Sequence, residues 1–479
     1  MSANSITRRS LFGMVSTAAV AGAMPSLFTS QSAHAQTNEA QTTQANPLTT
    51  AQDLAASVSS AFAFQNLMMD SYASGATIRL SQSYSDAALQ ATGFTYDNAV
   101  AIHAYLSRSL PDDLSRAKTL GLGLLHAQAT NFPIADGRFA QAYFVNAPDS
   151  TGAFITPAAF PYYFYGSSVG DQAWAGMALA QLYRRTRAQQ YLTGALLVAN
   201  WIVTNTYNTQ GPGGYSYGAI IDQYNQSQPS PNGKSTEGNL DTYAFFTMLS
   251  VLTEGGHASN GISWSALAQH AFQFVFAVFN PAGPYFYTGT LPDQVTTNTT
   301  PIPEDCQTWS YLAFLDARSR NTIDWALANL QTTDTAASSP YSSLTGAQTI
   351  HGLTFSTASL TTPTNDPHAV WLEGTAHTAA ALTAKALRGG EPITSLLSDI
   401  SRAVQLLKDI EHAQQILGVG QTAGGKLIPT GLGVVASSSV LDTGFGFTYG
   451  PSLHIGATGW YLIASLAANP FQLGYRVIG

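Results

Sequence analysis

The sequence predicts an all-α fold, an (α/α)6 toroid in which six helical hairpins close into a ring with long loops over one face. A segment rich in Ala, Leu and aromatics returns six times, at intervals of roughly 65 residues, and such repeats set the architecture before any local feature. Each is followed, after a short break, by a more amphipathic segment with its charges on one face. One further amphipathic segment at the start of the chain supplies the sixth outer helix and closes the ring.

The inner helices are predicted over 96–106, 171–183, 237–252, 304–316, 372–387 and 455–467. Their outer partners fall at 51–69, 112–128, 188–204, 263–278, 322–330 and 393–414. Connections from an inner helix to its outer partner are short, as at 107–111 and 184–187. Those leading to the next inner helix are long and rich in Gly, Pro, Tyr, Asn and Ser: 205–235, 280–303, 331–370 and 417–454. Long loops of this kind usually carry function. They are expected to gather over the N-termini of the inner helices, so a site belongs there.

Residues 1–35 read as an export leader. Arg8–Arg9 precede an apolar stretch broken by Gly13, Gly22 and Pro25, and Ala33–His34–Ala35 offers a small-x-small cleavage pattern. Spanning a bilayer takes ~20 continuous apolar residues, which this stretch lacks. The expectation is a twin-arginine signal peptide, a flexible lead-in over 36–50 and one catalytic domain over 51–479, periplasmic or secreted, with no membrane span after cleavage. A monomer is expected.

Losing the leader removes two arginines and no acids, which takes the net charge from −8 to −10. So acidic a chain lacks the basic footprint of a nucleic-acid binder. The single cysteine, Cys306, leaves no intramolecular disulfide to form. Charged residues are only 10% of the chain, against ~25% in typical domains. A surface of hydroxyls, amides and tyrosines suits uncharged, hydroxylated ligands.

The acids are placed tellingly. Asp97, Asp171, Glu237, Glu304–Asp305 and Glu373 each open an inner helix. Capping and the helix dipole explain carboxylates there without any function, and for Asp171, after a glycine, that explanation is preferred. Glu237 and Glu373 resist it. Ser235–Thr236 already supply caps for Glu237, and Asp241 lies one turn on, on the same face. Glu373 sits in the mostly apolar Trp371–Leu372–Glu373–Gly374–Thr375. There desolvation is expected to raise its pKa, while dipole and hydroxyls keep Glu237 ionised. Glu373 is therefore read as a general acid. Glu237, supported by Asp241 or Asp305, is read as the group that activates water. Asp97 and Asp305 could also bind hydroxyls. Tyr96, Trp309, Trp371 and Tyr449 are candidate stacking residues, whereas Trp460 reads as core. His377, four residues after Glu373, is placed to hydrogen-bond it.

Other chemistry is missing. His351, His368 and His454 show no ligand spacing, so no metal is expected. There is no phosphate loop, no dinucleotide fingerprint and no nucleophile elbow, and no cofactor is expected.

Thr95–Tyr96–Asp97–Asn98–Ala99, the turn Asp136–Gly137–Arg138–Phe139, the Trp371–Thr375 motif and the ending Gly456–Ala457–Thr458–Gly459–Trp460–Tyr461 to Asn469–Pro470–Phe471 resemble the six-hairpin glycosidase-like superfamily, across about 51–471. The resemblance implies carbohydrate chemistry. Of the basic residues, only Arg138 and Lys234 are expected near the mouth. It does not choose the reaction, because the superfamily holds hydrolases, phosphorylases, lyases and epimerases. The first expectation is an exported, inverting glycoside hydrolase acting on a glucan-like polysaccharide or oligosaccharide. A polysaccharide lyase would want more basic residues for its uronates. An epimerase would use a histidine pair and intracellular substrates, at odds with export. A non-catalytic glycan-binding or assembly protein would have carboxylates that do not converge.

Overall fold

The computed structural model describes residues 47–475 apart from 86, 132, 158–164, 223 and 225; the expected leader lies outside the described residues. Helix α1 (Pro47–Asp70) leads into five helical hairpins and a last inner helix. The hairpins are α2 (Thr95–Arg108) with α3 (Pro111–Ala129), α4 (Val169–Thr186) with α5 (Gln189–Thr206), and α6 (Thr236–Leu252) with α7 (Trp264–Ala277). Then come α8 (Asp305–Phe314) with α9 (Arg320–Asn329), and α10 (Leu372–Arg388) with α11 (Ile393–Ile416). Helix α12 (Ile455–Ser465) packs back on α2, and α1 lies against α12 as its outer partner. The ring is closed. The fold is the (α/α)6 toroid.

Burial follows the sequence pattern. Helix α4 is buried at every position from Gln172 to Leu182, whereas α11 buries only a stripe that includes Ala403, Leu406, Leu407 and Ile410. Inner helices approach closely where side chains vanish: a Cβ on Gly176 would lie 2.2 Å from Phe245 Cζ. Three inner helices end on a left-handed residue, Ser109, Arg187 or Leu315, whose N–H closes on the carbonyl four residues back. That turn reverses the chain sharply enough for the short inner-to-outer connections.

The far end of the ring is plugged. Trp174, Trp309 and Trp460 meet with ring centroids 5.3–5.8 Å apart, and Phe471 packs on all three. Asn469 and Gln472 tie the C-terminal segment to carbonyls at the end of α8. The opposite end stays open. The long loops there are not wholly irregular, as they pair into short antiparallel strands such as Gln331–Thr335 with Thr349–Leu353. Those strands were not legible as such. No helix among the described residues is long and apolar enough to cross a membrane.

Candidate active site

The open end holds a cleft of about 810 Å³, floored by the N-termini of the inner helices and walled by the long loops. Asp97 of α2, Asp171 of α4, Glu237 of α6, Asp305 of α8 and Glu373 of α10 all line it. Each lies in the first turn of its helix. The sixth inner helix contributes His454, its N-cap, whose Nδ1 accepts the Ala457 N–H. Closing the ring thus turns six ordinary helix starts into one site.

Glu373 is the most supported of the acids. The Tyr96 hydroxyl donates to its Oε1 at 2.5 Å and accepts the Trp460 indole N–H at 2.8 Å. His377 Nε2 stands 3.6 Å from Oε1 and His454 Nδ1 3.6 Å from Oε2. Each histidine is backed by a second acid: His377 Nδ1 lies 3.3 Å from Glu304 Oε2, and His454 Nε2 lies 3.0 Å from Asp97 Oδ1. The result is a buried run Glu304–His377–Glu373–His454–Asp97. Carboxylates on both sides raise the pKa of both histidines against the effect of burial. Burial pushes the Glu373 carboxyl up, but the His377 contact, the charges of His454 and His377, and the Tyr96 O–H together hold it below its ordinary value of 4.5.

Across the floor the balance is reversed. Burial pushes Glu237 well above the carboxylate range, and the charges of Asp305, Asp171 and Glu373 add to it. Asp305 is raised to about 6, by burial and by Glu304, with His377 opposing. Asp171 is raised to about 7, chiefly by burial. These directions are opposite to the expected ones: the Glu373 carboxyl is lowered from its ordinary value and the Glu237 carboxyl is pushed well above its own. The apolar setting of Glu373 in sequence is real, but Tyr96 and two histidines reach it from other helices.

Asp171 does serve the cap, since Ser168 receives its N–H at 3.0 Å and donates to its Oδ2 at 2.7 Å. It also lines the cleft. The two readings were not exclusive.

Tyr96, Trp309, Trp371, His377 and Tyr449 all line the cleft as well. Trp309 does so only as the top of the aromatic plug. Trp460 is buried, as expected, and orients Tyr96. Two candidates do not reach the cleft wall. Arg138 is held by Asp136 at 2.6 Å and Ser227 at 2.9 Å, over the Trp201 ring. Asp241 is fully buried one turn behind Glu237, 3.2 Å from where a Cβ on Gly170 would stand; burial and the charges of Glu237 and Asp305 hold its carboxyl well above the usual range. Lys234 lines the cleft, with Nζ bonded to the Gln210 carbonyl at 2.6 Å, and burial lowers it to about 8.

Sequence reasoning missed His454, dismissed as a loop histidine, and gave Glu304 no role. The Tyr–Gly–Pro–Ser–Leu–His run before α12 carries no spacing that marks a site. Its meaning comes from the closure of the ring. Among the described residues no group of three or more His, Cys, Asp or Glu is arranged to hold a metal ion.

No family model matches the chain, and no curated protein matches it. Solved structures do. The chain is similar to a cellobiose 2-epimerase from Spirochaeta thermophila DSM 6192, at 12% identity over 88% of this chain and 96% of that one, with a TM-score of 0.55. A sugar epimerase from a ruminal bacterium matches at 11% identity over 87% and 98%, with a TM-score of 0.54. A GH76 alpha-mannanase from Bacteroides thetaiotaomicron matches at 12% identity over 85% and 95%, with a TM-score of 0.50. The chain shares the (α/α)6 toroid fold of these structures. Identities this low establish the fold alone.

Proposed function

We propose that the protein is an exported glycoside hydrolase that cleaves a neutral, glucan-like polysaccharide or oligosaccharide with inversion, using Glu237 as acid and Glu373 as base. The observation that carries this is that Glu373 and Glu237 open onto one cleft in contrasting surroundings: contacts with His377, His454 and Tyr96 lower the pKa of the first, and burial beside other carboxyls raises that of the second. Glu373 lines the cleft, and its Oε2, with His454 Nδ1 3.6 Å away, makes no hydrogen bond among the described residues. It would take the proton of an attacking water, and Glu237 would protonate the departing glycosidic oxygen. Burial, with the charges of Asp305 and Asp171, pushes the Glu237 carboxyl upward, and Asp305 and Asp171 offer oxygens to sugar hydroxyls.

The competing chemistries fit less well. Five acids and one lysine line the cleft, a poor receptor for the uronates of a lyase. Histidines do flank Glu373, as an epimerase would need. Yet His454 is not among the residues that line the cleft: it is 1% exposed, with Nε2 against Asp97 and Nδ1 accepting the Ala457 N–H, so of the two histidines only His377 faces a sugar. Convergence of the carboxyls speaks against a purely non-catalytic binder. Export rests on Arg8, Arg9 and the Ala33–Ala35 pattern.

A panel of neutral and uronate glycans tests the proposal, followed by reducing ends, ultraviolet absorbance and product sugar identity together. New reducing ends without absorbance are expected. Unsaturated products, or an epimer without chain cleavage, would overturn hydrolysis.

A further inference from the structure

A hairpin over the cleft carries more aromatic surface than folding needs. Leu441–Asp442 pairs antiparallel with Thr448–Tyr449, and the tip between them reads Thr443–Gly444–Phe445–Gly446–Phe447. The tip is built rather than loose. Thr443 Oγ1 donates to the Phe447 carbonyl at 2.7 Å, and the Thr443 carbonyl accepts from Ser356 Oγ at 2.8 Å. Gly444 adopts φ +80°, and a Cβ there would stand 2.5 Å from Ala358 Cβ, so the tip lies tight against its neighbour.

This rigid tip presents Phe445 and Phe447 at 37% and 48% exposure. Neither ring is needed to fill the core, and exposed phenylalanines held in place beside a cleft mark a binding surface. They continue inward as a ladder. Phe355 lies 5.9 Å from Phe445 and 6.0 Å from Phe447, and 4.5 Å from Trp371. Trp371 and Tyr449 stack at 6.1 Å and 15°. All five rings line the cleft, and Trp371 is two residues from Glu373.

We propose that Phe445 and Phe447 form a sugar-stacking subsite for a residue of a neutral glycan lying outside the carboxylate floor, so that an extended chain is the substrate. The flat, C–H-rich faces of pyranose rings suit aromatic faces, and the ladder is continuous with the site. The inference rests on the reading of the cleft as a glycan site.

Its test compares neutral oligosaccharides of increasing length on the wild-type protein, F445A/F447A and F445Y/F447Y. It measures kcat/KM and, separately, binding by calorimetry. Wild-type kcat/KM is expected to rise with length, and F445A/F447A to lose about fivefold to tenfold on the longest chains, the scale of aromatic contacts. F445Y/F447Y, which keeps both rings, should retain the rise. If wild type cleaves glycans and F445A/F447A keeps the full dependence on length, the subsite is wrong and hydrolysis stands. If nothing is cleaved but long chains bind and F445A/F447A loses that binding, the subsite stands and hydrolysis falls. Neither cleavage nor ring-dependent binding would overturn both.

Discussion

Replacing Tyr96 by Phe removes one oxygen from the middle of the site and almost nothing else. That oxygen donates to Glu373 and accepts from Trp460. A hydrogen bond to a charged group contributes about 1.5–3 kcal/mol, and a buried donor left without a partner costs about 1–3 kcal/mol. Because Glu373 keeps its histidines, we expect Tyr96→Phe to lower stability by about 2–4 kcal/mol in urea unfolding at pH 7. Glu373 is depressed in the folded state, so its contribution is present above its unfolded pKa, near 4.5, and is lost as pH falls through the lower folded value. Without the hydroxyl the folded value rises, and that loss, with the acid limb of kcat/KM, moves to higher pH. Trp460→Phe is the comparison: it should reduce stability but leave the acid limb in place, since Tyr96 still donates to Glu373. A Tyr96→Phe variant with an unmoved acid limb, or with stability changed by less than about 0.5 kcal/mol, the scale of an unimportant surface change, would refute the role given to Tyr96.

Glu373→Gln and Glu237→Gln should each lower kcat by roughly 100- to 10,000-fold. A substrate with a good leaving group should partly rescue Glu237→Gln only, and equal rescue would reverse or void the assignment. Asp171, raised to about 7 from 3.8, holds its proton more tightly when folded, so the stability it lends falls away as pH rises between those values. Asp171→Asn should therefore melt higher than the parent at pH 8 and alike at pH 4. Gly176→Ala drives a Cβ to 2.2 Å from Phe245 Cζ and should cost about 1–3 kcal/mol by denaturant unfolding; no loss would mean that α4 and α6 are not so closely packed. Changing Arg8 and Arg9 to Lys should leave precursor in the cytoplasm by cell fractionation, and normal export of that variant would remove the twin-arginine reading.

Most of the architecture was legible because helical periodicity and hydrophobic burial are local, repeated properties. Buried and one-sided helices alternate, and the first outer helix lies far in sequence from the last inner one that it completes. The same logic located the cleft: acids at inner-helix starts, long loops at the same end. What a residue next to Glu373 in sequence could not reveal is what lies next to it in space. Tyr96 and His454 arrive from helices at opposite ends of the chain, brought together only when α12 docks on α2. The direction of the Glu373 shift depends on those neighbours, which is why local sequence pointed the opposite way. For Glu237 the sequence showed hydroxyls and a helix dipole, but not the three other carboxyls, of Asp305, Asp171 and Glu373, that the ring turns toward it. Sequence by itself determined the ring, its open end and the acids that floor it. Tertiary structure alone decided which way the pKa of each of those acids is pushed, because electrostatic coupling falls off with distance through space and takes no account of separation along the chain.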